Sequence, residues 1–476
     1  MIAGAGHAKE DRLNATTDRR LAAGSAVWLA LLLASCASTP TTPRPPHDGA
    51  ALAARVRAEF RHAWDGYVRH AWGHDELNPI STKGHDWYPE PLYMTAVDAL
   101  DSLILLGEAD EARRTQEYLA THLSFDKDMS VQNFEITIRI LGGLLSAHQM
   151  TGDPRLLALA RDLGRRLLPV FDSPTGMPYR YVNLRTGKTR DAESNPAEIG
   201  TLLLEFGTLS RLTGDRVFFD KAKKAVVELH RRRSAVGLVG TGINVETGEW
   251  IGKTSHVGAM IDSYYEYLLK CDRLFGDADC RRMWEAERTA ITRHLEDRTA
   301  SGLWYGEADM TTGRRTATRY GALHAFLPSV FALAGDLDRA RGLQASAFRM
   351  WNHAGLEPEV FDYAEARIVS AGYMLRPEII ESAYYLHRHT GDPVYLEMGK
   401  TFLESLVTHC RTDAGYAALV SVVTKEKRDR MPSFFLAETL KYLYLLFAPE
   451  ALDFEAVVFN TEAHPLRATW RPTAPR

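Results

Sequence analysis

Along most of this chain, apolar residues recur at helical rather than strand spacing, and they fall into paired segments of different character. A long segment that is apolar nearly all round ends in a glycine followed by an acidic residue. A second segment comes next, with apolar residues on one face only. The junctions read "LLGEADEA" at Gly107, "MTGDPRLLALA" at Gly152, "LTGDRVFFDKA" at Gly214, "LFGDADCRRMW" at Gly276, "LAGDLDRARGL" at Gly335 and "TGDPVYLEMG" at Gly391. Glycine suits the left-handed C-cap of the first helix, and the Asp or Glu suits the N-cap of the second. Successive junctions lie 45, 62, 62, 59 and 56 residues apart, room for one helical hairpin each, so the chain is a repeat array.

Six hairpins are explicit. A seventh is assembled from "SFFLAETLKYLYLLF" near the C-terminus and "LAARVRAEFRHAWDGYVRHAW" near the start. Pairing the last helix with the first closes the array, and no polar terminal cap argues for an open solenoid. The expected fold is therefore an all-α toroid with an inner ring of apolar helices and an outer amphipathic ring. Turn-rich stretches between pairs, "YRYVNLRTGKT", "GINVETGEWIG" and "LWYGEADMTTGRRT", predict short β-hairpins.

Composition changes this picture little. The 476 residues are 45% hydrophobic and 25% charged with a formal charge of −4, a globular balance that argues against a nucleic-acid partner. The N-terminus departs from the array. Arg19 and Arg20 precede a 14-residue apolar run, Leu21 to Ala34, which suits the h-region of a secretion signal better than a permanent span. It ends in "LASC", which resembles a bacterial lipobox with Cys36 as the lipidated residue, and "ASTPTTPRPPHDG" comes after it as a tether. Glu10 and Asp11 are unusual in such an n-region, and a plain cleaved signal with an incidental cysteine is the alternative. The expected organisation is a signal at 1–36, a tether at 37–50 and a folded domain at 51–470. The expected location is a bacterial cell envelope, lipid-anchored or else periplasmic or secreted, with membrane contact only through the anchor. No extended apolar surface is visible outside the array, so a monomer is expected. Of the remaining cysteines, Cys271 and Cys280 either pair in an oxidising compartment or stay with Cys410 as buried thiols; no spacing suggests zinc.

The chemistry sits at the helix starts. Each hairpin runs the same way, so all inner helices begin at one end of the toroid. Those beginnings carry Glu135 in "NFEITIRILGG", Glu198 in "NPAEIGTLLLEF", Asp262 in "MIDSYYEYLLK", Glu378 and Glu381 in "LRPEIIES", and Glu438 in "FFLAETLKYLYLLF". Acids favour helix N-termini, where they cap and oppose the macrodipole. That accounts for one or two, not for acids heading such apolar helices at an end where they must crowd. Crowded carboxylates need a cation, a hydroxyl-rich ligand or a raised pKa. Glycoside hydrolysis uses such a set, one carboxylic acid protonating the leaving oxygen and one carboxylate activating water or attacking carbon. Arg139 and Arg376 stand ready to orient carboxylates or bind sugar hydroxyls, and Phe434 and Phe435 offer faces for a pyranose.

The same stretches, with "GYVRHAWGHDELNP", "AEIGTLLLEFGTLSRLTGD" and "VFNTEAHPL", resemble the inverting class I α-1,2-mannosidases of glycoside hydrolase family 47, in order and over essentially the whole chain after the tether. The resemblance implies an (α/α)7 barrel, in keeping with the seven pairs. It implies an exo-acting, calcium-dependent enzyme that releases terminal α-1,2-linked mannose from α-mannoside oligosaccharides with inversion. Glu135 matches the general acid, acting through a water, Glu378 the general base, and Asp262 a third essential acid. Thr461 in "FNTEAH" matches the calcium ligand, with Glu381 and Glu438 holding the metal's waters; calcium takes 6–8 oxygens. Glu198, Glu359, Arg139, Arg376, Phe434 and Glu438 match positions lining the sugar subsites. Asp98 and Glu266 lie in matching motifs, as substrate contacts or as support.

Two departures matter. "ALHAFLP" carries Ala322 and Ala325 where eukaryotic members have a His-Leu-x-Cys-Phe stretch, so that family disulfide is missing. Met260 stands where arginine or leucine tunes branch choice in relatives, so branch specificity does not carry over. A non-catalytic mannose- or glycan-binding protein on the same scaffold is the competing reading, disfavoured by retention of all three acids and Thr461. A sugar epimerase on an α/α toroid would place histidines at the helix starts, where this chain has carboxylates.

Overall fold

The structure is a computed structural model and describes residues 49–468. The signal segment, Cys36 and the tether up to residue 48 lie outside the described residues. Helix Gly49–His70 opens two residues before the expected tether boundary at 51, and Ala53, Val56, Phe60, Ala63, Trp64 and Tyr67 form its buried stripe.

Seven helix pairs succeed one another. Their inner and outer members are Met94–Asp98 plus Leu100–Leu105 with Ala109–His122; Asn133–Glu135 through Gly142–Thr151 with Pro154–Leu167; Pro196–Gly200 plus Leu203–Thr213 with Arg216–Arg231; Asp262–Phe275 with Ala278–His294; Leu327–Ala334 with Leu337–Ala354; Glu378–Thr390 with Val394–His409; and Leu440–Phe447 with Gly49–His70. The last pair joins the two ends of the described chain. The ring also closes on the inside, where the Ser102 hydroxyl donates to the Leu436 carbonyl at 3.0 Å. The expected (α/α) barrel is what the residues build.

The junction chemistry agrees with the sequence at five of six positions. Gly152, Gly214, Gly276, Gly335 and Gly391 end their inner helices at φ between 67° and 84°. The next Asp accepts a backbone N–H of the outer helix, as in Asp153 from Arg155 at 2.9 Å and Asp392 from Val394 at 3.0 Å. Glu108 departs from the pattern: its carboxylate caps nothing and instead takes Arg57 Nε at 2.6 Å together with Arg61, tying the first outer helix to Gly49–His70. The longer Glu side chain reaches a neighbour where Asp folds back on its own backbone.

The predicted hairpins form, and they do more than connect. Tyr181–Asn183 with Thr189–Arg190 pairs with Ser130–Gln132; Gly242–Asn244 with Trp250–Gly252 pairs with Glu193–Ser194; Glu307–Asp309 with Arg315–Ala317 pairs with Thr254–Ser255; Val360–Asp362 with Arg367–Ser370 pairs with Arg319–Gly321. In each case the strand entering one inner helix is bonded to the hairpin that leads toward the next. Neighbouring helix starts are thereby tied at fixed spacing around the rim. A last hairpin, Val457–Phe459 with Pro465–Arg467, packs against the inner helices Gly142–Thr151 and Asp262–Phe275 and carries its loop, Asn460–His464, into the ring.

Cys271 and Cys280 are disulfide-bonded, which decides between the two readings and fastens an inner helix to its outer partner; Cys410 is a buried free thiol. Among the described residues, no helix is long and apolar enough to cross a membrane.

Candidate active site

The N-terminal ends of the inner helices surround a cavity of about 430 Å³. Glu135, Arg139, Glu198, Asp262, Arg376, Glu378, Glu381, Phe434, Glu438 and Thr461 all line it. Five separate helix starts and the C-terminal loop thus deliver to one place the residues singled out along 327 positions of sequence, 135 to 461. Glu359 stands behind this wall, where it accepts two hydrogen bonds from Arg376, at 3.2 Å from Nε and 3.0 Å from Nη2. Phe435, expected as a second stacking face, is fully buried against Tyr416 instead, with ring centroids 4.8 Å apart. Phe434 is the ring in the cavity, with the guanidinium carbons of Arg139 and Arg376 at 5.6 and 5.9 Å from its centroid.

Local backbone geometry aims these groups. Ile136–Leu141, directly after Glu135 and containing Arg139, is a π-helical turn, and so is Phe435–Thr439, which carries Glu438. A π turn inserts a residue into the helical ladder and rotates the next turns about the axis, a device that recurs at functional sites. Met260 and Leu375 hold left-handed backbone, φ 73° and 63°, just ahead of Asp262 and Glu378. Such values are unfavourable for side chains of their size and persist only where surroundings fix them. Here the Met260 carbonyl accepts Ala197 N–H at 2.8 Å, and the Leu375 carbonyl accepts the Thr439 hydroxyl at 2.7 Å. Neighbouring inner helices therefore lock the turns that present the acids.

The charges are shared rather than neatly paired. Arg139 donates from Nε to Glu135 at 2.9 Å and from Nη1 to Glu462, with Asp98 at 3.7 Å, so one guanidinium serves three carboxylates. Arg180 and Gln132 hold Glu198 at 2.9 Å each, while the Asn195 side chain caps its helix. Lys270, buried in the ring, pairs with Glu266 and lies 3.6 Å from Glu381. Burial dominates the carboxyl pKa values. It pushes Asp262 up to about 6, with Glu266 adding repulsion. It pushes Glu378 up to about 7, opposed by Arg376 and reinforced by Glu359 and Asp262. Glu381 is raised by burial against the pull of Lys270, and Glu438 and Glu462 are raised by burial and by neighbouring carboxylates.

Those upward shifts show where positive charge is wanted. Glu381, Glu438 and Thr461 border one space with Glu378, whose Oε2 is buried without a partner. Apart from Cys271, Asp277 and Cys280, where two of the three are consumed in the disulfide, no three His, Cys, Asp or Glu donors among the described residues lie within 4.8 Å of one another. A direct carboxylate cage is therefore absent among them. The arrangement suits a hard cation taken by Thr461 oxygens and by water, with the carboxylates one layer further out.

The loop that presents Thr461 is tightly held. Its amide donates to Tyr267 OH at 3.2 Å; Tyr267 OH donates to Glu205 at 2.5 Å, and Asn460 Nδ2 reaches Glu205 at 2.8 Å and the Ile138 carbonyl at 2.9 Å. Burial raises the Glu205 carboxyl to about 7. Lys441 bonds the Ala463 carbonyl and Asp101, both at 2.7 Å, and His464 bonds Asp101 at 2.7 Å and Asp98 at 3.3 Å. Asp98 is thus support for Arg139 and the loop, fully buried and away from the cavity, whereas Glu266 lines it. Glu462, Arg180 and Gln132 also line the cavity and were not singled out from sequence. Glu462 stands inside "FNTEAH", next to Thr461. Arg180 and Gln132 lie in or beside strands, where counting from helix starts has no reach.

Comparison with known proteins agrees with this geometry. Residues 59–468 match the family described as Glycosyl hydrolase family 47. The chain is 38% identical over 452 residues to Alpha-mannosidase I MNS5 of Arabidopsis thaliana, covering 88% of this chain and 78% of that protein. It is 36% identical over 443 residues to mannosyl-oligosaccharide 1,2-alpha-mannosidase MNS1 of the same plant, covering 88% and 79%. The solved alpha-1,2-mannosidase from Trichoderma reesei superposes with a TM-score of 0.83 at 29% identity, over 88% of this chain and 99% of that one. These relatives are eukaryotic, so a bacterial placement rests on the N-terminal segment alone. The match spans nearly the whole described chain, and the chain belongs to glycosyl hydrolase family 47, the glycoside hydrolases.

Proposed function

We propose that this glycoside hydrolase is an exo-acting, calcium-dependent α-1,2-mannosidase that removes terminal α-1,2-linked mannose with inversion. The observation that carries the reading is the convergence of Glu135, Asp262 and Glu378 with Thr461 on one cavity in a chain of this family. The C-terminal loop, whose Thr461 and Glu462 line the cavity, supports attack on chain ends rather than within a chain.

Inversion needs an acid and a base on opposite faces of the sugar with a water between. Glu378, as carboxylate, takes a proton from the water whose oxygen bonds the anomeric carbon. Glu135 returns a proton through a second water to the glycosidic oxygen as the C–O bond breaks. Asp262, raised by burial to about 6, is mostly ionised at neutral pH and gains its proton just below it, so it serves as a partner for developing positive charge or, on the acid side, as a hydrogen-bond donor. The Arg376–Glu359 pair holds Glu378 in place, and Phe434 gives the sugar an apolar face. Calcium held by Thr461, with Glu381 and Glu438 steadying its waters, would bind sugar hydroxyls and offset the crowded carboxylates.

The test is release of mannose from α-1,2-mannobiose by the purified chain and by Glu378→Gln. Release that falls at least about a thousandfold in the variant is the expected result. Unchanged release in Glu378→Gln overturns the assignment of the base, and binding without release moves the chain to the glycan-binding reading. Lipid attachment at Cys36 and a monomeric state are further proposals. The first is tested by the mass of the mature N-terminal peptide and the second by sedimentation.

A further inference from the structure

Three residues after Thr461, His464 enters a charge cluster that the hydrolytic chemistry does not use. His464, Asp98, Asp101 and Lys441 are each 0% exposed. Asp98 and Asp101 come from the first inner segments, Lys441 from the seventh, and His464 from the C-terminal hairpin loop. His464 Nδ1 lies 2.7 Å from Asp101 Oδ2, and its Nε2 lies 3.3 Å from Asp98 Oδ1. Lys441 Nζ lies 2.7 Å from Asp101 Oδ1 and donates to the Ala463 carbonyl at 2.7 Å. The other Asp98 oxygen accepts the Ser433 hydroxyl and has Arg139 Nη1 at 3.7 Å. The second inner helix meets the ring with Gly142 and Gly143, where a Cβ would come to 3.0 Å from ring Cδ2 and 3.2 Å from Cε1.

Both ring nitrogens thus face carboxylate oxygens, which only accept. A neutral imidazole has one N–H, so its other nitrogen would set a lone pair against a carboxylate away from water. Charge balance leads the same way. Arg139 is shared by Glu135 and Glu462, which leaves Lys441 as one cation for two aspartates. A second proton on His464 closes the balance. Burial works against the charged ring, but Asp101 and then Asp98 overcome it and the repulsion of Lys441, raising the pKa to about 9. Glu462 in the same loop and Glu205, which accepts Asn460 Nδ2 at 2.8 Å, are the other nearby acids. The loop hangs on this ring: His464 N–H donates to Asn460 Oδ1 at 2.8 Å, and its carbonyl accepts Asn460 N–H at 3.1 Å. Thr461 and Glu462 lie within that turn.

We propose that His464 is a positioning residue: a permanent imidazolium that donates to Asp98 and Asp101 at once, registers the Thr461 loop against the inner helices and steadies the acid beside Arg139. It neither gains nor loses a proton in turnover. Its effect on mannose release rests on the mannosidase reading; its charge and its hold on the loop do not.

Proton-detected NMR of the 15N-histidine-labelled wild type reads the ring directly, with His464 assigned by its contacts to Gly142 and Gly143. Both nitrogens are expected to carry a proton at about pH 7.5, the second leaving only near pH 9. A single protonated nitrogen at that lower pH overturns the inference.

Two variants test what the charge does. His464→Gln keeps a donor but leaves one buried carboxylate in excess, and Asp101→Asn in that background removes the excess. Burial raises the folded pKa of the excess carboxylate, so His464→Gln loses stability as pH rises above about 4. The double variant therefore melts higher than His464→Gln at neutral pH, by a margin that grows with pH. Hydrogen exchange over residues 457–467 quickens at least about tenfold in His464→Gln and slows again in the double variant. On α-1,2-mannobiose, kcat/KM falls about 10–100-fold in His464→Gln. A double variant that melts no higher than the single overturns the charge, because lost hydrogen bonds alone would add. Unchanged exchange in His464→Gln overturns the positioning role, as does unchanged kcat/KM. A wild type that releases no mannose contradicts the mannosidase reading instead, and the NMR, melting and exchange results still decide this one.

Discussion

Replacing Arg376 by methionine tests how the cavity wall is held. Arg376 gives Glu359 two charged hydrogen bonds, at 3.2 and 3.0 Å, and both side chains are about four-fifths buried. Charged hydrogen bonds contribute about 1.5–3 kcal/mol each, and breaking a buried pair leaves an uncompensated carboxylate at about 3–5 kcal/mol. The pair retains some exposure, so the lower end applies, about 2–3 kcal/mol of stability. The catalytic effect has a different signature. Arg376 is the main influence holding the Glu378 pKa down against burial, so its removal raises that pKa further above its present value of about 7. A base must be ionised, so kcat/KM falls most on the acid side and recovers as pH rises. The assay is kcat/KM on α-1,2-mannobiose from about pH 5 to 9, with melting temperature recorded alongside. An equal loss at every pH would refute the electrostatic argument and leave Arg376 a substrate contact. An unchanged profile with unchanged stability would refute both parts.

Calcium binding should stabilise the fold: at 100 times its dissociation constant a ligand adds about 2.7 kcal/mol, so excess chelator lowers the melting temperature by several degrees. Thr461→Ala should melt near the chelated wild type and respond little to chelator; an undiminished response places the metal elsewhere. Serine at both Cys271 and Cys280 removes a link nine residues apart in sequence. Loop-closure entropy puts the loss at about 2.7 kcal/mol, read from the denaturant midpoint, and reductant then has no further effect. Wild type that is insensitive to reductant under denaturant would contradict the link.

Much of this was legible in the sequence, for identifiable reasons. The toroid could be read because the glycine C-cap and acidic N-cap are local chemistry repeated at each junction, and Glu108 differs because its longer side chain reaches Arg57 and Arg61. The cavity acids could be read because equal placement at helix starts converts position along the chain into position around an axis. What stayed hidden depends on contacts between distant segments. Nothing local announces the π turns at Ile136–Leu141 and Phe435–Thr439, the left-handed Met260 and Leu375, or the clamp of Tyr267, Glu205 and Asn460 on the Thr461 loop. Helical spacing did not separate Phe434 from Phe435, because one residue of rotation decides which ring sees the cavity; only the family resemblance singled out Phe434.

The most direct measurement is proton NMR of α-1,2-mannobiose during hydrolysis by the purified chain, in calcium and then in excess chelator. The account predicts β-mannose as the first product, reaching the anomeric equilibrium only by mutarotation, and no release once the metal is removed. First appearance of α-mannose would contradict inversion and with it the acid and base roles of Glu135 and Glu378; full release in chelator would contradict the metal at Thr461.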